Sequence, residues 1–384
     1  MKRFIPFKGV RFTSKARYQF IPPISQPYDK ITPQMYETYL KNPFNIARII
    51  LPGGYSNRDY NLARELYLHF LEEKVLALDR SPALYFYQVE FERGGKNFRR
   101  NHLIGLLKLP QDEDYVYAHE RTFPKTVEDR LNLLRATGVN FGQVFLITNR
   151  CKDTFREPEY EFLQEYELDG IIHRLWIIRP DPEILNCFDE AEFVIADGHH
   201  RYKTAMIFRD EMKRKGLTTP SVQYRMVTIS HIEDHGLLVL PTHRAARKPF
   251  NVDPSFIKVK DIGALREFLA RHHKSFGVVT KEGIFFKTYS ESFIGAEYLE
   301  KVIFTNYDPG EIKYFREIEE GLTLLNTEGF QTLFILNPPD IKEVWNHAVT
   351  GKLMPEKSTD FYPKVPTGLV LYDMNRSFPE SLID

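Results

Sequence analysis

One unbroken run, Asp197-Gly198-His199-His200-Arg201, gathers the residues of this sequence best suited to chemistry. The apolar stretch Phe193 to Ala196 predicts a buried strand before it, and the pattern from about His200 to Lys215 predicts a helix after it. The run therefore occupies a strand-to-helix corner. A helix's first turn leaves backbone N–H groups without partners and carries the positive end of the macrodipole, which suits it to anions. Gly198, His199, His200 and Arg201 would grip a phosphate, and Asp197 could ligate a Mg²⁺ ion bridging phosphate oxygens. In the purely structural reading Asp197 caps the helix and Gly198 makes the turn. A zinc reading of the histidine pair is disfavoured, because helix neighbours point about 100° apart, and the sequence has no HExxH and no cysteine pair.

Three further groups have suitable side chains. In His119-Glu120-Arg121-Thr122, Glu120 could orient a hydroxyl and accept its proton, and Thr122 could touch a substrate. Pro241-Thr242-His243-Arg244 follows an apolar strand, and Lys357-Ser358-Thr359 stands near the C-terminus. Their cations (His243, Arg244, Lys357) suit phosphate, and their hydroxyls (Thr242, Ser358, Thr359) suit a polar substrate. Taken singly, each is more often ordinary surface. No G-x-x-x-x-G-K-[ST] loop and no G-x-G-x-x-G opening a helix occurs, so the familiar nucleotide cradles are absent.

The elements that must hold these residues read as α+β. Asn57 would cap a helix from about 58 to 76. Residues 83–92 and 102–109 read as a hairpin turned by Gly94-Gly95, and a helix near 126–137 is followed by strands near 143–148 and 174–178. Pro182 opens a short helix, and strands near 223–229 and 237–240 follow the corner helix. Beyond Pro249 a helix around 262–273, a hairpin through Gly283 and a strand over 332–336 are expected. The boundary is placed there: residues 1–248 form an N-terminal wrap plus a catalytic core, and residues 249–384 an α+β region contributing to the site.

With 384 residues, 42% hydrophobic and 27% charged, the chain has globular composition. Lys plus Arg and Asp plus Glu balance at 52 each, so no global positive field recruits nucleic acid. No apolar window is long enough to cross a membrane, and no signal peptide is recognisable at the N-terminus. Cys151 and Cys187 read as isolated thiols, which fits a reducing cytoplasm.

Seven ordered segments together resemble a widespread prokaryotic family catalogued as a domain of unknown function. They are Pro27-Tyr28-Asp29, Asn42-Pro43-Phe44-Asn45, His119 through Thr122, Asp129-Arg130, Asp197 through Ala205 (DGHHRYKTA), Gly236 through Arg244 (GLLVLPTHR) and Pro355 through Gly368 (PEKSTDFYPKVPTG). The DGHHR block also looks like the phosphate-binding box of the SerK-type free serine kinases, and His119-Glu120 looks like the segment bearing their catalytic glutamate. That likeness covers two short blocks, and a long insertion separates Glu120 from Asp197 here.

The resemblance implies a ParB/sulfiredoxin-like core with a mixed sheet. It implies Glu120 as the base toward a serine hydroxyl, Asp197 as the metal-linked catalytic residue, and His199, His200 and Arg201 as the phosphate grip. The expected activity is Mg²⁺-dependent phosphorylation of free L-serine to O-phosphoserine with pyrophosphate as donor. ADP or ATP is the alternative donor, and a ParB-like nucleotide-binding switch or partner-binding module is the alternative from another class. Small molecules are the expected partners, with neither nucleic acid nor membrane among them.

Overall fold

The computed structural model describes residues 2–55, 58–111, 114–120, 122–290, 292–355 and 357–379. It divides into two compact units, each built on its own sheet. The first comprises residues 1–117, 122–237 and 363–384, and the second residues 118–121 and 238–362. The chain thus changes unit at Leu238, earlier than the boundary expected at 249, and its last segment returns to the first unit. Pro249 punctuates a loop that follows His243–Ala246, an inner strand of the second unit's sheet, so the break precedes it.

The sheet of the first unit is mixed, as expected. In spatial order it runs Val116–Tyr117, Phe193–Asp197, Val144–Thr148, Tyr224–His231, Lys96–Lys108, Leu84–Arg93, Ile171–Ile178 and Gln164–Leu168, with Phe4–Ile5 pairing beside Lys96–Lys108. Phe193–Asp197 runs parallel to Val116–Tyr117, and Tyr224–His231 runs parallel to Val144–Thr148; the other pairs are antiparallel. The expected hairpin forms as Leu84–Arg93 and Lys96–Lys108, turned at Gly94-Gly95. The expected early helix is Tyr60–Glu72, and its cap is Asp59, whose carboxylate accepts from the Asn61 and Leu62 N–H groups. Asn57 lies outside the described residues.

The N-terminal wrap is fastened by asparagines. Asn42 donates to the Ile21 carbonyl at 2.8 Å and Asn45 to the Pro22 and Ile24 carbonyls at 2.8 and 2.9 Å, while their own carbonyls accept from Phe44 and Ala47 N–H. Both side chains are buried, so each serves as a substitute for missing secondary structure. The Asn42-Pro43-Phe44-Asn45 segment is therefore architectural.

Cys151 and Cys187 form a disulfide, which corrects the expectation of two isolated thiols. Their sequence separation of 36 conceals that the loop after Val144–Thr148 meets the helix Pro182–Asp189.

The second unit carries a six-stranded sheet ordered Ile257–Val259, Gly283–Thr288, Ser275–Thr280, Thr332–Leu336, His243–Ala246, Ile312–Phe315, antiparallel throughout. Side chains alternate between faces along a strand, and both faces here are covered. Ala245, Leu333 and Ile335 join one hydrophobic cluster, whereas Ala246, Phe334 and Leu336 join another. Two-sided burial explains the unbroken apolar run from Leu333 to Leu336 within the strand Thr332–Leu336. Among the described residues, no helix of either unit is long and apolar enough to cross a membrane.

Candidate functional site

In the first unit the DGHHR corner forms as its sequence predicts. The strand Phe193–Asp197 shifts register against its neighbour between Ile195 and Asp197, and such a bulge re-aims the side chain that follows it. Gly198 then takes φ +93, a left-handed conformation that only glycine adopts cheaply. A Cβ there would also lie 3.0 Å from Nε and Nη2 of Arg201. Two independent restrictions therefore select glycine at this turn. The helix His199–Arg214 begins next, with Gly198 at its N-cap and no side-chain cap.

The cap reading of Asp197 is thereby corrected. Its carboxylate is instead held between two cations: Lys364 donates to Oδ1 at 2.7 Å and Arg201 to Oδ2 at 2.6 Å. Burial alone would raise this carboxyl, but Lys364 and Arg201, with Lys30 behind them, hold it below the usual carboxylate range. Arg201 also donates to the Gln143 carbonyl, so its fork is fixed from two sides. Lys364 lies inside the Pro355–Gly368 segment that the sequence singled out, yet its role was missed, because its partner stands 167 residues away.

The two histidines differ. His199 is buried, 8% exposed. His200 accepts the Phe123 N–H at Nε2, 3.0 Å, and stacks on the Phe123 ring at 5.8 Å. Thr122 lies just ahead of Phe123 in the segment leading to the helix Pro124–Thr137. Arg121 lies outside the described residues.

The second unit assembles a different group. Glu120 Oε1 accepts from the Thr359 backbone N–H at 3.4 Å and from its hydroxyl at 3.1 Å. The same hydroxyl lies 2.8 Å from Nε2 of His119, a fully buried ring. Because a hydroxyl carries one hydrogen and Thr359 gives it to the carboxylate, Nε2 of His119 is the donor. Imidazole, hydroxyl and carboxylate thus form a short chain of polar groups ending on a part-exposed Glu120.

The remaining predicted residues of this unit divide between lining and scaffolding. Arg244 is 3% exposed and donates to the Thr242 and Lys357 carbonyls, with Tyr314 5.3 Å below its guanidinium. It lines a cavity of about 570 Å³ together with Phe304, Tyr307, Tyr314 and Glu300. Burial pushes it down to about 10. Lys357 is exposed and sits at φ +55, a left-handed conformation unusual for a side-chain-bearing residue. Ser358 spends its hydroxyl on the Pro355 carbonyl at 2.6 Å. His243 is packed beside Phe315, accepts the Leu336 N–H at Nδ1, and is pushed down to about 4 by burial and then by Arg244. A neutral ring built into the sheet is no cation for phosphate, so His243 reads as scaffold.

Magnesium keeps most of its waters and takes one or two carboxylates. Asp197 accepts from a cation at each oxygen, so a Mg²⁺ ion there would have to displace Lys364 or Arg201.

A family model described as "Protein of unknown function (DUF1015)" matches residues 4–307. No curated protein matches the chain. Among solved structures, the chain is similar to a conserved hypothetical protein from Pyrococcus furiosus at 15% identity and a TM-score of 0.38, covering 70% of this chain and 95% of that one. It is similar to a free serine kinase in complex with AMP at 15% identity and a TM-score of 0.37, covering 69% of this chain and 91% of that one. It is also similar to SbnI with C-terminal truncation from Staphylococcus aureus at 12% identity and a TM-score of 0.37, covering 69% of this chain and 85% of that one.

Proposed function

This chain belongs to the DUF1015 family, and from that premise we propose that it is a phosphotransferase converting free L-serine to O-phosphoserine, with pyrophosphate as donor and a ParB/sulfiredoxin-like core. The observation that carries the reading is the corner where Asp197 fixes Lys364 and Arg201 beside the first turn of the helix His199–Arg214. Phosphoryl transfer asks a protein mainly for positioning and for cations where charge develops. A preset lysine and arginine, together with the positive end of a helix macrodipole, supply both.

In this reaction the serine Oγ attacks phosphorus, a new O–P bond forms, and the bridging P–O bond breaks to release orthophosphate. The hydroxyl proton passes to Glu120, a role that rests on the His-Glu resemblance and is supported by the Thr359 contact that orients the carboxylate. Arg201 and Lys364 offset the charge of the transferring group. The expected Mg²⁺ ion, which the resemblance links to Asp197, would supply charge neutralisation at the phosphate.

A specific observation favours a second donor. The cavity beside Arg244 is lined by Phe304, Tyr307 and Tyr314, and aromatic rings can stack a base. ADP or ATP is therefore the alternative. Incubating the protein with L-serine, Mg²⁺ and each donor separately, then quantifying O-phosphoserine by mass spectrometry, decides between them. Product with pyrophosphate alone supports the first reading, product with a nucleotide alone transfers it to the second, and no product with any donor leaves a binding module. A cytoplasmic address belongs to the same proposal, and alkylation of thiols in freshly lysed cells tests whether the Cys151–Cys187 pair is oxidised there.

A further inference from the structure

Behind the corner, within the first unit, lies a cavity of about 50 Å³ walled by Arg130, Arg201, Arg225, Asn140 and Thr367, with leucines closing its apolar side. By the same measure one water needs about 10–15 Å³. The three guanidinium groups are not equivalent. Arg130 is spent on Asp129 and on the Ile50 carbonyl, and stacks 4.1 Å over Tyr28. Arg201 is spent on Asp197 and the Gln143 carbonyl.

Arg225 differs from both. It is 5% exposed, donates from Nη2 to the Gly142 carbonyl at 2.9 Å, and its buried Nε has no hydrogen-bond partner. Among the described residues no carboxylate pairs with it, and the charged group that bears on it is another cation, Arg201. Burial first, and Arg201 second, push it down to about 9. A buried cation with an unsatisfied donor and no counter-ion is among the costliest arrangements a fold can hold.

We infer that this cavity is a binding site for a compact oxyanion, of orthophosphate or carboxylate size, held by Arg225 and flanked by Arg201, Asn140 and Thr367. An anion there supplies the missing counter-charge and an acceptor for Nε at once. The inference does not depend on phosphoryl transfer: it concerns what balances Arg225.

Gly142 provides a second handle on the cavity. A Cβ at that position would lie 3.1 Å from Nη1 of Arg201 and 3.2 Å from Oγ1 of Thr367, and its φ is not in the left-handed region. Gly142→Ala should therefore crowd the polar end of the cavity while leaving every charge in place.

The test is calorimetric titration of the whole chain with orthophosphate and, separately, with acetate, for the wild type, Arg225→Met, Gly142→Ala and, as a surface-cation control, Lys152→Ala, whose ammonium is exposed and paired with Glu233. Binding to the wild type should weaken about tenfold or more in Arg225→Met and measurably in Gly142→Ala, and should stay within about twofold in Lys152→Ala. Arg225→Met should also unfold at a temperature no lower than the wild type in anion-free buffer, since it removes an uncompensated charge. Preference for orthophosphate or for acetate then identifies which oxyanion the site takes. No binding to the wild type, or any other pattern across the variants, including binding kept in Arg225→Met, overturns the inference. If Arg225→Met does not fold, Gly142→Ala against Lys152→Ala decides alone.

Discussion

The two units hold their chemistry in opposite ways. In the first, five consecutive residues make the corner, and a strand bulge, a left-handed glycine and a helix start aim them. In the second, Glu120, Arg244 and Thr359 come from three distant stretches that meet by folding alone. The first group is cationic, with its one carboxylate neutralised twice over; the second ends on a carboxylate fed by a hydroxyl and an imidazole. In the proposed reaction the first group would hold negative charge and the second would take a proton, and the variants below are ways to break that contrast.

The largest effect is expected at Asp197. Asp197→Asn keeps the shape but removes the charge that holds Lys364 and Arg201, so the preset cations lose their geometry. The activity, measured as kcat/KM for phosphoserine formation, should fall about 10³-fold, the upper range for losing a preorganised electrostatic group. Near-normal turnover by a folded Asp197→Asn protein would remove the corner from the chemistry.

Next in size is Glu120→Gln, which should lower kcat about 10²-fold while donor affinity changes little, as expected for a positioned base. The two variants separate the units: one should damage donor handling and the other proton transfer. If Glu120→Gln instead abolishes donor binding with the chemical step intact, the second group holds phosphate and the contrast is drawn wrongly.

How much of this was legible depended on whether the partners were neighbours in sequence. The corner could be read because a strand, a turn and a helix start are local events, and so could the hairpin at Gly94-Gly95 and the strand Thr332–Leu336. What lies across the chain could not. Lys364 on Asp197, Thr359 on Glu120 and Cys151 on Cys187 each join residues far apart, and no local pattern announces them. His243 misled for a related reason: in sequence it is a histidine beside an arginine, and only the fold shows its ring spent on the Leu336 N–H. The helices Ile318–Thr327 and Ile341–Val349 were missed although both are amphipathic, and the capping box of Asp340 and Glu343 was a local signal for the second.

Acid should expose the units through their buried histidines. Burial, and then Arg100, lower His173 in the first unit from 6.5 to about 3, and burial, then Arg244, lower His243 in the second from 6.5 to about 4. Below pH 6.5 the unfolded chain binds protons that these folded rings refuse, so stability falls as pH drops toward the folded values and is unaffected above 6.5. Each ring costs about 1.4 kcal/mol per pH unit, or about 2 kcal/mol at pH 5. Urea unfolding at pH 7 and 5, with histidine C2–H shifts followed in parallel, checks this. A stability that does not change between those values, or rings that titrate near 6.5, contradicts the burial assigned to them.

The smallest effect, and the sharpest test of the second group, belongs to Thr359. Its hydroxyl touches both Glu120 Oε1 and His119 Nε2, at 3.1 and 2.8 Å, while its backbone N–H makes a separate, longer contact of 3.4 Å with the same oxygen. Thr359→Val preserves the volume and the backbone contact and removes the hydroxyl alone, leaving the buried His119 donor unsatisfied. One hydrogen bond to a charged group is worth about 1.5–3 kcal/mol, but the surviving N–H keeps part of the orientation, so the loss in kcat should sit at the low end, about tenfold. Thr359 would be a positioning residue, acting through Glu120, and three readings separate that role from a merely structural one. The loss should appear in kcat with KM for both substrates nearly unchanged. Thr359→Ser, which restores the hydroxyl without the methyl group, should recover most of the rate. In a Glu120→Gln background, Thr359→Val should cost little more, because the group it orients is already gone. A full tenfold loss on top of Glu120→Gln, or no rescue by serine, would mean that Thr359 supports the fold of the second unit and that the chain of imidazole, hydroxyl and carboxylate carries no proton.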